Sequence, residues 1–297
     1  MNKIISQHLT LIILVGILCA SILLWFVFKP TNTLILFDDI WIASHRAVSF
    51  GEQCTVRVED IRDHSDKPSK ESRDAVALLK ELSIDVISHI QQEERKSYRL
   101  IKSSSPLGAT DDKGTKPFII LETIFDGTNE YARYDTAGSW IAFSHKSLAD
   151  MNTFIQKMFQ DQFYFSLNDI KKETVRLKEI RKETDGKELT VFRGEQTEYS
   201  LENAKQLFQY PIGTYSVREH YGDVVVDPSE KTVLKTILYT LFEYHDRGDD
   251  SFVLDIPVYQ ECIPVAKKDL EVFAPSNVIW ASKEEIQQYL LFKVVPE

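Results

Sequence analysis

The sequence predicts an α+β fold: a curved antiparallel sheet packed on helices, preceded by one transmembrane helix. Three observations predict it. Leu9 to Phe28 is a run of twenty residues without a charge. Short alternating apolar segments joined by Gly, Pro, Asp and Asn turns recur through the rest of the chain. Helical three- and four-residue spacing is confined to a few separate stretches. Runs of strands with helices set apart imply an antiparallel α+β arrangement rather than alternating βαβ units.

The run LTLIILVGILCASILLWFVF is about 30 Å long as a helix, the hydrocarbon thickness of a bilayer. It continues past the small residues Ala20 and Ser21, so it fits an uncleaved anchor better than a signal peptide. Leu18 is too bulky to precede a lipidated Cys19. Trp25 and Lys29 suit the far interface, where aromatics and snorkelling lysines sit. Lys3 and the α-amino group before the run weakly favour an inside N-terminus. The expected organisation is a short cytoplasmic segment over 1–8, the anchor over 9–28 and a membrane-proximal segment over 29–71. An ectodomain over 72–262 and an extension over 263–297 ending in a helix follow. The expected location is a cell membrane, crossed once, with the C-terminal domain extracytoplasmic.

Bulk numbers narrow the function classes. The chain has 297 residues, 27% of them charged and 43% hydrophobic, an ordinary globular mix. A net charge of −10 argues against a nucleic-acid binder, which would show a basic stripe, and against a polybasic lipid clamp. Beyond the anchor stand two cysteines, Cys54 and Cys262. In an oxidising compartment they form one bridge tying the ends of the domain; otherwise they are two unrelated buried thiols.

The elements follow in order. Thr33 to Arg46 reads as a membrane-proximal strand or short connector. Cys54 to Ile61 alternates like a half-buried strand, and Arg62 to Lys70 is a polar loop. Val76, Leu79, Leu82, Val86 and Ile90 form a stripe that predicts one long helix over Ser72 to Glu94. Tyr98 to Ile101 begins a strand, and Ser103 to Lys116 is a turn-rich loop. Phe118 to Phe125, the turn Asp126-Gly127-Thr128-Asn129 and Glu130 to Tyr134 predict a hairpin. Asp135 to Gly138 turns into Trp140 to Phe143, completing a meander. Ser147 with Asp150 caps a predicted helix whose apolar face is Leu148, Met151, Phe154 or Ile155, and Met158. Thr174 to Lys182 and Glu188 to Arg193 predict a hairpin about Asp185-Gly186. Ser200 opens a helix ending near Tyr210-Pro211. Asp223 to Asp227 and Val233 to Tyr244 predict a long hairpin, followed by Phe252 to Ile256. Ser282 and Glu285 form a capping box for a last helix, Lys283 to Phe292.

No phosphate loop, GxSxG, HExxH, CxxC or EF-hand pattern is present, and neither cofactor nor metal is expected. His245 to Asp250 (HDRGDD) clusters carboxylates, but Arg247 sits among them and a solvated turn explains the composition better. Val191-Phe192-Arg193-Gly194 and Asp269-Leu270-Glu271-Val272-Phe273-Ala274-Pro275 resemble two catalytic strands of the arginine–serine–glutamate ADP-ribosyltransferases. That resemblance implies a phosphate-holding Arg193 and a cation-stabilising Glu271. The family's middle Ser-Thr-Ser strand has no counterpart in Tyr221 to Asp227, and Asp269 is shorter than the family's residue there.

Aromatic and aliphatic residues are abundant on the meander: Phe118, Ile120, Ile124, Tyr131, Tyr134, Trp140 and Phe143. They line an apolar cleft if a curled sheet is incompletely covered, or else fill the core. Tyr131, Trp140 and Phe143 are the candidate lining residues.

The order of elements resembles the lipoprotein-carrier superfamily, the LolA-like and LppX-like half-barrels, over about residues 72–258. The likeness rests on Lys96-Ser97-Tyr98-Arg99, the meander from Phe125-Asp126-Gly127 through Glu130 to Tyr134 and Gly138-Ser139-Trp140. It continues in Val226-Asp227-Pro228, Lys235 to Tyr244, and Ile256-Pro257. Such a resemblance implies an apolar ligand held between a curved sheet and helices, or sensing at the cell envelope, without catalysis. The alternatives are the transferase and a structural or interaction protein of the envelope with an unknown protein partner.

Overall fold

A computed structural model describes residues 32–47, 49–65, 67–104, 118–134, 138–151, 166–183, 186–207, 213–246, 252–265 and 272–294. The Leu9–Phe28 run lies outside these residues, as do Asp269, Glu271 and Arg247 to Asp250. Among the described residues no helix is long and apolar enough to cross a membrane.

The protein is α+β: one large, curved, unclosed antiparallel sheet with a few helices. Among the described residues the elements are, in chain order, α1 (Asn32–His45), β1 (Ser49–Val58), β2 (Arg62–Asp63), α2 (Lys70–Lys80), β3 (Ser83–Gln91) and β4 (Lys96–Ser104). Next come β5 (Phe118–Phe125), β6 (Asn129–Tyr134), β7 (Trp140–Ser144) and three short 3-10 turns, η1 (His145–Asp150), η2 (Ser166–Asp169) and η3 (Lys172–Thr174). The remainder is β8 (Arg176–Lys182), β9 (Glu188–Gly194), α3 (Glu198–Leu207), β10 (Gly213–Asp227), β11 (Thr232–Asp246), β12 (Val253–Pro264), β13 (Val278–Trp280) and α4 (Lys283–Val294). Across the sheet the order is β13-β7-β6-β5-β4-β3-β1-β12-β11-β10-β9-β8, with β2 paired to β12. Every pairing is antiparallel except β13 with β7.

Two of the expected elements change type outright. The stripe from Val76 to Ile90 is not one helix: α2 ends at Lys80 and the chain continues as β3. Ile84, Val86 and Ile90 are two or four residues apart, and four residues make two pleats of a strand as well as about one helical turn. Pairing with Val56, Cys54 and Phe50 of β1 decides for the strand. The segment Thr33 to Arg46 is helical rather than a strand or connector. Its Phe37 and Ile40, one turn apart, are both at most 2% exposed and pack on Phe192, Val224 and Leu238.

The expected boundaries at residues 72 and 262 do not coincide with edges of the sheet. Strand β1 lies mid-sheet between β3 and β12, and β13 extends the far edge beside β7. Strands β10 and β12 also run longer than the alternation alone marks.

Alternation along each strand sorts the sheet into two faces. One face is covered. Helix α1 closes a cluster with Ile170, Phe192, Val224 and Leu238, and α2 closes another with Val56, Phe242 and Ile256. Helix α4 places Ile286 against Leu121, Ala132 and Phe143. The capping box holds: the Ser282 amide donates to Glu285 Oε2 at 2.7 Å, and the Glu285 amide to Ser282 Oγ at 3.3 Å. Residues 145–150 make a 3-10 turn after Ser144; the continuation of the helix expected from Ser147, with Phe154, Ile155 and Met158, lies outside the described residues.

Candidate functional site

Turn chemistry builds the meander. Gly127 takes φ +99°, where a side chain is strained, and Asp126 Oδ1 accepts the amides of Thr128 and Asn129 at 2.9 and 2.8 Å. The tight turn fixes Tyr131 opposite Ile124, and Tyr131 in turn faces Ala142.

The three candidate lining residues divide between the faces. Tyr131 and Trp140 project to the face opposite the helices, in a cluster with Tyr98, Ile124, Val272 and Val278. Phe143 stands an odd number of residues from Trp140, so it points the other way and is buried with Leu148 and Ile286. They therefore do not line one cleft. Val272 and Val278, from the stretch after Cys262, complete the Tyr131–Trp140 cluster. Beside them Phe273 is 70% exposed and Trp280 61%.

Polar groups frame this aromatic patch. Arg133 holds its guanidinium 4.5 Å above the Trp140 ring and donates from Nε to Glu122 at 2.5 Å. Tyr98 donates to the other Glu122 oxygen at 2.8 Å, and Tyr131 to Asp126 Oδ2 at 2.6 Å. Burial, and then the bond to Asp126, push the Tyr131 phenol up to about 12. Burial raises the Asp126 pKa, but the hydrogen bonds from Tyr131 and the turn amides outweigh it and hold that carboxyl below its ordinary range.

Further along the same face, Arg193, Tyr221, Tyr239 and Tyr259 form a row across β9 to β12. The Arg193 guanidinium lies 3.5 Å over the Tyr221 ring, and successive tyrosine rings stand 4.8 and 5.0 Å apart. Both Asp223 oxygens accept from Arg193, at 2.7 and 2.9 Å, and Lys178 reaches the same carboxylate at 2.8 Å. Most of the fork needed for a dinucleotide phosphate is thus engaged within the sheet. A groove of about 220 Å³ is lined by Gln53, Thr55, Arg57, Glu261, Ile263, Pro264 and Val265.

No protein-family model and no curated protein matches the chain. Its chemistry therefore rests on its own residues.

The cysteines meet mid-sheet. Cys54 of β1 is registered opposite Cys262 of β12, with Cα atoms 4.0 Å apart and the sulfurs bonded at 2.09 Å. Alternation in CTVRVEDI signals the first strand, but nothing local in the sequence signals that β12 extends to Pro264 and brings Cys262 beside it. Glu52, next along the same face of β1, was not evident from the sequence. It is 4% exposed, and burial raises its pKa to about 7 against the partly compensating bonds from Ser166, with Asp169 adding to the rise.

Proposed function

We propose that the chain is a membrane-tethered, extracytoplasmic protein that binds a lipid or other apolar chain, without catalysis, at the aromatic patch of the meander. One observation carries the proposal: Phe273 and Trp280, large and mostly exposed, follow Val272 and Val278 of a cluster in which buried Tyr131 packs with partly buried Trp140. Contiguous exposed apolar surface beside such a cluster is the mark of an interaction site. Each methylene moved from water onto such a patch contributes about 0.8 kcal/mol.

Three further features support the same assignment. The uncharged run Leu9 to Phe28 would tether the domain beside a bilayer. A Cys54–Cys262 bridge suits an oxidising compartment. The likeness to LolA-like and LppX-like carriers implies an apolar ligand on a curved sheet, although there the ligand lies between sheet and helices. Here the helix-covered face carries buried clusters, and the exposed aromatics stand on the other side and at the β13 edge.

The test is tryptophan fluorescence of the full chain in detergent, titrated with a brominated fatty acid. Saturable quenching that falls away in Trp140→Phe and Trp280→Phe supports the assignment. Quenching that is absent, or unchanged in both variants, contradicts it.

A further inference from the structure

The surroundings of the disulfide are unequal on its two sides. Cys262 is 1% exposed, whereas Cys54 is half-buried. Gln260 Nε2 donates to Cys262 Sγ at 3.4 Å, a contact that would stabilise negative charge on that sulfur. Glu52 and Cys54 are two residues apart on β1 and so share a face. The Glu52 carboxylate lies within 4.8 Å of both sulfurs. Because the sulfurs are bonded to each other, this triad offers no thiolate pair to a metal.

We propose that the Cys54–Cys262 bridge is a thiol–disulfide exchange site, in which Cys54 is the sulfur attacked and Glu52 gives its proton to Cys262. The co-reactant is a dithiol, small or borne by a protein. Its thiolate bonds to Cys54 Sγ, the S–S bond breaks, and the electron pair passes to Cys262 Sγ. That thiolate takes the Glu52 proton beside the Gln260 amide. The second sulfur of the dithiol then attacks the first, releasing Cys54 and closing the dithiol into its own disulfide. Two electrons pass from the dithiol to the protein. The proton shed by the second thiol returns to Glu52 through solvent.

Glu52 is built for that task. Its Oε1 accepts from Ser166 Oγ at 2.6 Å and its Oε2 from the Ser166 amide at 2.8 Å, which hold the carboxyl group in place. A buried acid that titrates near 7 is protonated when needed and readily re-formed at neutral pH. The other described charged group facing it is Asp169 of η2, which favours the protonated form. On the sheet its row continues through Ser88 of β3 to Arg99 of β4, while Pro264 faces it from β12.

The test measures reduction of the full chain in detergent by dithiothreitol, read as alkylated thiols by mass, between about pH 5.5 and 8.5. Rates are normalised to the dithiol thiolate present. In the wild type the normalised rate falls as pH rises through about 7, where Glu52 loses its proton. Glu52→Gln flattens the profile. Ser166→Ala keeps the carboxyl but removes a bond that lowers its pKa, so the fall moves to higher pH. A flat wild-type profile overturns the proposal, as does an unchanged profile in Glu52→Gln. So does a bridge that yields to dithiothreitol only as circular dichroism reports unfolding.

Discussion

Arg193 and Asp223 sit directly opposite one another on β9 and β10, and the guanidinium meets both carboxylate oxygens, from Nε at 2.7 Å and from Nη2 at 2.9 Å. Burial of Asp223 raises its pKa, but the bonds from Arg193 and Lys178 outweigh that and hold it below the ordinary range. Its contribution is therefore present above about pH 4 and lost as pH falls through the depressed folded value. Asp223→Asn should lower stability by about 1–2 kcal/mol at neutral pH, since the arginine is partly solvated. Arg193→Lys should recover little, because an ammonium cannot make the paired contact. Urea unfolding at neutral pH checks both.

Glu52 carries the opposite sign. Its folded pKa, about 7, lies above the ordinary 4.5, so the folded state holds a proton that the unfolded chain has released. Stability should fall as pH rises from about 4.5 to about 7 and then level off, a loss of up to roughly 3 kcal/mol. Glu52→Gln should remove that slope. Chemical denaturation at a series of pH values measures it, and an unchanged slope in the variant would mean that another group is responsible.

Gly222 and Gly194 are registered partners, and Ile170 seats over both. A Cβ on Gly222 would lie 2.5 Å from Ile170 Cγ1, too close for either to remain in place. Gly222→Ala should destabilise by about 1–3 kcal/mol, the usual result of overpacking. Combining it with Ile170→Ala should cost less than the two single changes together. Thermal melts of the four proteins give the coupling.

Helix α4 is held by its cap and by the buried Ile286. Ser282→Ala should cost about 1 kcal/mol through the lost bond to the Glu285 amide. Ile286, 1% exposed, packs with Phe143 and Leu121, and Ile286→Ala should cost about 2–5 kcal/mol. Hydrogen exchange of the α4 amides should rise in both variants.

The parts of the fold governed by local chemistry were legible in the sequence. Asp126-Gly127 announced its hairpin, Asp185-Gly186 announced that of β8 and β9, Ser282 with Glu285 announced α4, and period-two alternation announced β1. Ambiguous spacing hid β3, since Leu82, Val86 and Ile90 satisfy a helix and a strand alike. Long-range pairing hid the rest. Only the register of β1 with β12 places Cys54, Cys262 and Glu52 together, and residues 208 positions apart leave no local signal of it. For the aromatic patch, residue type pointed to Tyr131 and Trp140, while strand parity sends Phe143 to the other face and Val272 and Val278 lie beyond the expected domain.

Binding of an apolar chain is tested most directly by native mass spectrometry of the full chain extracted in mild detergent. The wild type should carry a lipid-sized adduct that survives detergent removal, and Phe273→Ser with Trp280→Ser should lose most of it. A bare wild-type mass, or an adduct undiminished in the double variant, would contradict a binding role for the meander patch.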